Sequence, residues 1–103
     1  MEKKWTICVE DGEVTVGKLG SEKGTIQWDE QYEDARITME ENCTHGCYAI
    51  TCGISGWFVH TAYFSKYPDA IMAYKRMKEE IEHLCNVDDT NKTEEIGIFI
   101  NRW

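Results

Sequence analysis

The chain has 103 residues, 42% of them hydrophobic, with four Trp, five Tyr, three Phe and a single proline. That is the size and composition of one globular domain, expected to span residues 1–103 around a single small core. A formal net charge of −8 disfavours a nucleic-acid backbone or an anionic membrane surface as partner, since both call for a basic face.

The first residues, MEKKWTICVEDGE, lack the apolar run of a secretory leader, and no window approaches the length of a membrane span. The five cysteines are an odd number, which suits reduced thiols better than a disulfide framework. A cytoplasmic protein is therefore expected.

Residues 4–10 alternate Trp5, Ile7 and Val9 against polar neighbours and predict a strand. Asp11-Gly12 predicts a hairpin turn, with 13–19 as the returning strand. Residues 20–24 read as a loop and 25–28 as a short strand. The segment DEQYED, 29–34, is polar and is expected to be a loop or one helical turn. Residues 35–41 alternate again, with Ile37 and Met39 on one side and Arg36, Thr38 and Glu40 on the other. Residues 43–46 turn the chain.

Residues 47–54 and 56–64 predict two strands joined through 53–56. With that turn, Cys52 falls opposite Trp57, Ile50 opposite Val59, and Ala49 opposite His60. One face then carries Ile50, Cys52, Trp57 and Val59, and the other Cys47, Thr51, Phe58 and His60. Residues 68–85 predict a long helix, opened by Pro68 and Asp69. Ile71, Tyr74, Met77, Ile81 and Leu84 form its apolar stripe. Its charge pairs, Lys75/Glu79, Arg76/Glu80 and Lys78/Glu82, run basic-first, the weaker order. Residues 94–103 fit a strand through Ile96, Ile98 and Ile100, or a helix capped at Thr93; the isoleucines favour the strand. The expected fold is α+β, an antiparallel meander of about four to six strands with one long C-terminal helix across one face.

The stretch ENCTHGCYAITCG raises three chemistries. Cys43, His45, Cys47 and Cys52 are acceptable zinc ligands, but the spacing is not that of paired C-x-x-C knuckles. Cys47 and Cys52 also stand an odd number of residues apart on one strand, on opposite faces. Cys47 with His60, and Arg36 nearby, could form a nucleophile–base pair in a small enzyme or ligand-binding domain. The third reading, a turn and a packed strand, fits the residues best, and no metal, cofactor or catalytic residue is assigned.

Two surfaces are candidate binding sites. The sheet face away from the helix gathers Arg36, Thr38, Thr51, Phe58 and His60, mixing an aromatic anchor with charged groups. Residues 27–42 hold six carboxylates against one Arg, and Asp29, Glu30, Glu33 and Asp34 form a candidate acidic patch. Together they predict a non-enzymatic protein-interaction module. Its partner would be a protein of basic character, as for an inhibitor or immunity-type binder, or a second copy meeting an edge strand.

Overall fold

The computed structural model describes residues 3–44 and 47–103. In chain order the elements are β1 (Thr6–Ile7), β2 (Val9–Glu10), β3 (Glu13–Val14), β4 (Thr25–Tyr32), β5 (Ala35–Glu41), β6 (Tyr48–Ile54), β7 (Phe58–Phe64), α1 (Tyr67–Asn86) and α2 (Asp89–Arg102). The fold is α+β. A five-stranded antiparallel sheet runs β1-β4-β5-β6-β7, and β2-β3 form a separate ribbon. α1 lies across β5, β6 and β7, and α2 packs against α1. No helix among the described residues is long and apolar enough to cross a membrane.

The core lies between the sheet and the helices. Ile37, Met39 and Ile50 rise from the strands to meet Met77 and Ile81 of α1, and all five are fully buried. Tyr74, Met77, Ile81 and Leu84 of the predicted stripe thus pack into the core as expected, whereas Ile71 is only half-buried and Ala70 and Ala73 complete the buried face; Pro68 opens α1 without a side-chain cap. Of its three basic-first pairs, Arg76 and Glu80 do meet, at 4.0 Å, but Lys78, Glu80 and Glu82 also find partners elsewhere in the chain. Lys78 reaches Glu30 on β4 at 2.7 Å, Glu80 accepts from Arg102 on α2, and Glu82 accepts from the Trp5 indole at 3.0 Å.

Three expectations are corrected. The acidic segment 29–32 is not a loop, because β4 runs unbroken to Tyr32. Its alternation is disguised by carboxylates that find partners on both faces of the sheet. The C-terminal segment is a helix, so the single helix is two. Asp88 caps α2 by accepting from the Asn91 amide at 3.1 Å, and Lys92, Ile96 and Phe99 form its buried stripe at helical spacing. Ile98 and Ile100, which mimic a strand, face outward.

The third correction is register. β6 and β7 pair Cys52 with His60, Gly53 with Val59 and Ile54 with Phe58. Gly53 is inside the strand, and the turn covers 54–57. It is closed by Trp57 N donating to Ile54 O at 2.9 Å, with Gly56 at φ +83°, a backbone that suits glycine at the third turn position. The pairing is three residues out from the expected one. An odd shift exchanges the faces of β7. Phe58 and His60 therefore turn toward the helices, where Phe58 meets Phe99 edge-on at 5.7 Å, and Val59 is left 80% exposed.

Gly53 is there because the strands approach too closely for a side chain. A Cβ would sit 2.3 Å from the Phe58 carbonyl oxygen and 3.1 Å from Val59 Cα. Both are backbone atoms, so the ladder itself would have to open. Gly53→Ala is expected to destabilise the protein by about 1–3 kcal/mol, as overpacking does, and to accelerate amide hydrogen exchange along β6 and β7. Unchanged stability together with unchanged exchange would count against this pairing.

Candidate functional site

The sheet face opposite the helices carries rows of side chains in register. Asp29, Thr38, Thr51 and Thr61 form one row, and Gln31, Arg36, Gly53 and Val59 the next. Such a face is flat unless something walls it, and here the N-terminal arm does. Cys8 N donates to Asp29 O at 3.0 Å, and Gly17 N donates to Ile26 O at 2.8 Å, so the arm is tied to the edge of β4 at two places. Between these ties the β2–β3 ribbon projects, turning through Asp11 and Gly12 at φ 51° and 81°, as a two-residue hairpin requires.

The result is an open groove of about 900 Å³. Arg36, Thr38 and Thr51 line its floor, where the missing side chain of Gly53 leaves room. Glu10, Thr15, Leu19 and Gly20 line the side of the arm, and Asp34, Trp57 and Val59 the other side. Leu19 and Val59 are 75% and 80% exposed, and Trp57 is held by Lys92 Nζ, 4.9 Å from its ring centroid.

At the floor of the groove a half-exposed Arg36 pairs with a buried Asp29. The Asp29 side chain is fully buried and accepts four hydrogen bonds. Arg36 donates through Nε at 2.9 Å and Nη2 at 2.6 Å, Thr15 at 2.7 Å and Thr38 at 2.8 Å. Burial pushes the Asp29 carboxyl up, but the bonds from Arg36, Thr15 and Thr38 outweigh it and hold the group below its ordinary 3.8. Burial, and then the same carboxylate, push the Cys8 thiol up to about 12. Arg36 also faces Glu10 of the ribbon at 3.6 Å, so one guanidinium joins the arm to the sheet.

A second buried carboxylate shapes the arm. Glu40 is fully buried and accepts from the Glu22 amide at 3.1 Å and the Gly24 amide at 3.0 Å, which fixes the 20–24 loop at the groove end.

The structure sorts the predicted site residues plainly. Arg36, Thr38 and Thr51 are brought together on the outer face as expected. His60 is not with them; it faces the helices, edge-on to Phe99 at a centroid distance of 6.4 Å. The Phe58 side chain turns the same way, although the residue still contributes to the groove lining. The acidic patch is dispersed by strand alternation. Asp29 is consumed by Arg36, and Glu30 points to the helices, where it accepts from Tyr74 at 2.6 Å. Glu33 sits in the β4–β5 turn, bridged to Lys3 at 3.2 Å. Only Asp34 borders the groove. Leu19, Trp57 and Val59 were missed, because the expected register buried Trp57 and Val59, and because the returning strand expected over 13–19 ends at Val14, leaving Leu19 in the loop beyond it.

The cysteine stretch separates in the same way. Cys52 pairs with His60 on the helix side, fully away from Cys47, so Cys47, His60 and Arg36 form no constellation. Cys43 and Cys47 do meet, sulfur to sulfur at 3.4 Å. Among the described residues no three His, Cys, Asp or Glu side chains are grouped to hold a metal ion. His45 and Gly46, the one a member of the alternative zinc set and both part of the expected turn, lie outside the described residues. Compared with known proteins, the chain matches no family model, no curated protein and no solved structure.

Proposed function

We propose that this chain is a non-enzymatic protein-interaction module that receives a segment of a basic protein in the groove on the outer sheet face. The observation that carries the reading is the groove itself: a polar floor of Arg36, Thr38 and Thr51 between exposed apolar shoulders, Leu19 and Val59. Apolar anchors on a polar bed are what a side chain from a partner needs. The charge of −8 steers Lys- and Arg-rich proteins toward the molecule, and Asp34 stands at the groove for their side chains. An immunity-type inhibitor that masks a basic toxin or nuclease is one concrete form, argued from charge and size alone. A reducing, cytoplasmic setting suits the five thiols.

The test is affinity capture at low salt from the native host, followed by titration of the recovered partner against purified chain. A basic partner is expected, weakened by salt and weakened at least tenfold by Val59→Asp, a change on an exposed residue that leaves the fold intact. Equal binding by Val59→Asp would remove the groove from the interaction. A cavity of this volume also falls within the range of small-molecule sites. That second reading predicts thermal stabilisation by a small ligand, with amide shifts confined to Thr38 and Thr51. A second copy docking along β7 would show as a mass that rises with concentration.

A further inference from the structure

We propose that Cys43 and Cys47 form a reversible intramolecular disulfide by exchange with a low-molecular-weight disulfide. The pair is held together before any chemistry. β5 ends at Glu41 and Asn42 follows at φ 56°, which turns the chain so that Cys43 N donates to Cys47 O at 3.3 Å. The Cys43 thiol donates to that same carbonyl oxygen at 3.2 Å and lies 3.4 Å from Cys47 Sγ. Bond formation at about 2.05 Å therefore needs an approach of about 1.4 Å, within reach of side-chain rotation. The flank is anchored as well, since Thr44 donates to Glu22 O through its amide at 3.0 Å and its hydroxyl at 3.2 Å. The contact-ordering entropy that normally opposes closure is thus already spent in the reduced protein.

Exposure assigns the roles. Cys43 is 4% exposed, whereas Cys47 is only partly buried. The Cys47 thiolate attacks one sulfur of the small disulfide and forms a mixed disulfide, releasing one small thiolate. The Cys43 thiolate then attacks Cys47 Sγ, forms the internal S–S bond and expels the second small thiolate. The two cysteine protons end on the two released thiols, so the protein loses two hydrogens and the small disulfide gains them. Burial, and next the hydrogen bond with Cys43, push the Cys47 thiol up from 9.0, so closure is slow at neutral pH, unlike that of a fast peroxide sensor. Two of the other thiols, Cys8 and Cys52, are each buried and pushed up to about 12; the third, Cys85, is partly buried like Cys47 and is also pushed up from 9.0 by burial.

The experiment equilibrates the full chain with oxidised and reduced glutathione, alkylates the remaining thiols, and maps them by mass. The expected product has lost two alkylation sites, at Cys43 and Cys47, and regains both with dithiothreitol. Cys43→Ser should accumulate a glutathione adduct on Cys47, whereas Cys47→Ser should leave Cys43 unmodified. Five alkylated thiols after incubation with oxidised glutathione alone would overturn the proposal. So would a bridge between any other pair. Because the wild-type map decides by itself, a serine variant that fails to fold does not weaken the test.

Discussion

Arg36→Ala is expected to cost about 3 kcal/mol in urea unfolding at pH 7, the lower end of the range for breaking a buried ion pair. The lower end applies because the Arg36 side chain is 48% exposed, so water takes part of its place. The loss is large because of what stays behind. Asp29 keeps its fully buried carboxylate and the two threonine hydroxyls, but no cation. Against a total stability of about 5–15 kcal/mol for a domain, this single change removes a substantial share. The pH response should also reverse. In the parent, the Asp29 carboxyl is held below 3.8, so its contribution is complete above that value and is lost as pH falls through the lower folded value. In Arg36→Ala, burial without the cation raises the carboxyl above its ordinary value. That variant should therefore gain stability as the pH is lowered from 7 to 5, where the neutral acid is easier to bury. Parallel stability profiles for the two proteins over this range would refute the assignment.

Ile81→Ala is expected to cost about 2–5 kcal/mol, through the lost transfer energy of the side chain and the cavity it leaves. Ile81 has no exposed surface, and its neighbours in the stripe, Met77 and Leu84, are fixed by the sheet below them. Met72 on the same helix is 71% exposed, so Met72→Ala should stay within about 0.5 kcal/mol of the parent. Equal effects at the two positions would mean that α1 does not present this face to the sheet. Chemical denaturation of the pair, read by tryptophan fluorescence, makes the comparison.

The elements that could be read from the sequence are those whose local pattern and tertiary role coincide. α1 buries its sequence-evident stripe from Tyr74 to Leu84, and β5 and β6 place Arg36, Thr38 and Thr51 on one face because simple alternation governs both strands. β7 could not be read in the same way. A glycine between two strands looks like a turn residue, yet Gly53 serves a close backbone approach, and this miscount turned Phe58 and His60 over. β4 was hidden for a different reason: Asp29 and Glu30 look like solvated charges until their partners, Arg36 and Lys78, are brought alongside by the fold. α2 was obscured by two exposed isoleucines, while its cap, Asp88, lay five residues before the expected one. The groove was half legible. Its floor follows from strand parity, but its walls depend on where the N-terminal arm folds back, and no local pattern encodes that.

Asp29 and Glu30 are consecutive residues that serve opposite sides of the molecule, one gripping the arm through Thr15 and the other gripping α1 through Tyr74 and Lys78. A slip of β4 by one position would reverse both at once, setting Glu30 among the threonines and sending Asp29 toward the helix with a shorter reach. The neighbouring acids thus tie the alignment of β4 to the layers on both of its faces at once: only the native register gives Asp29 its arm partner and Glu30 its helix partners together.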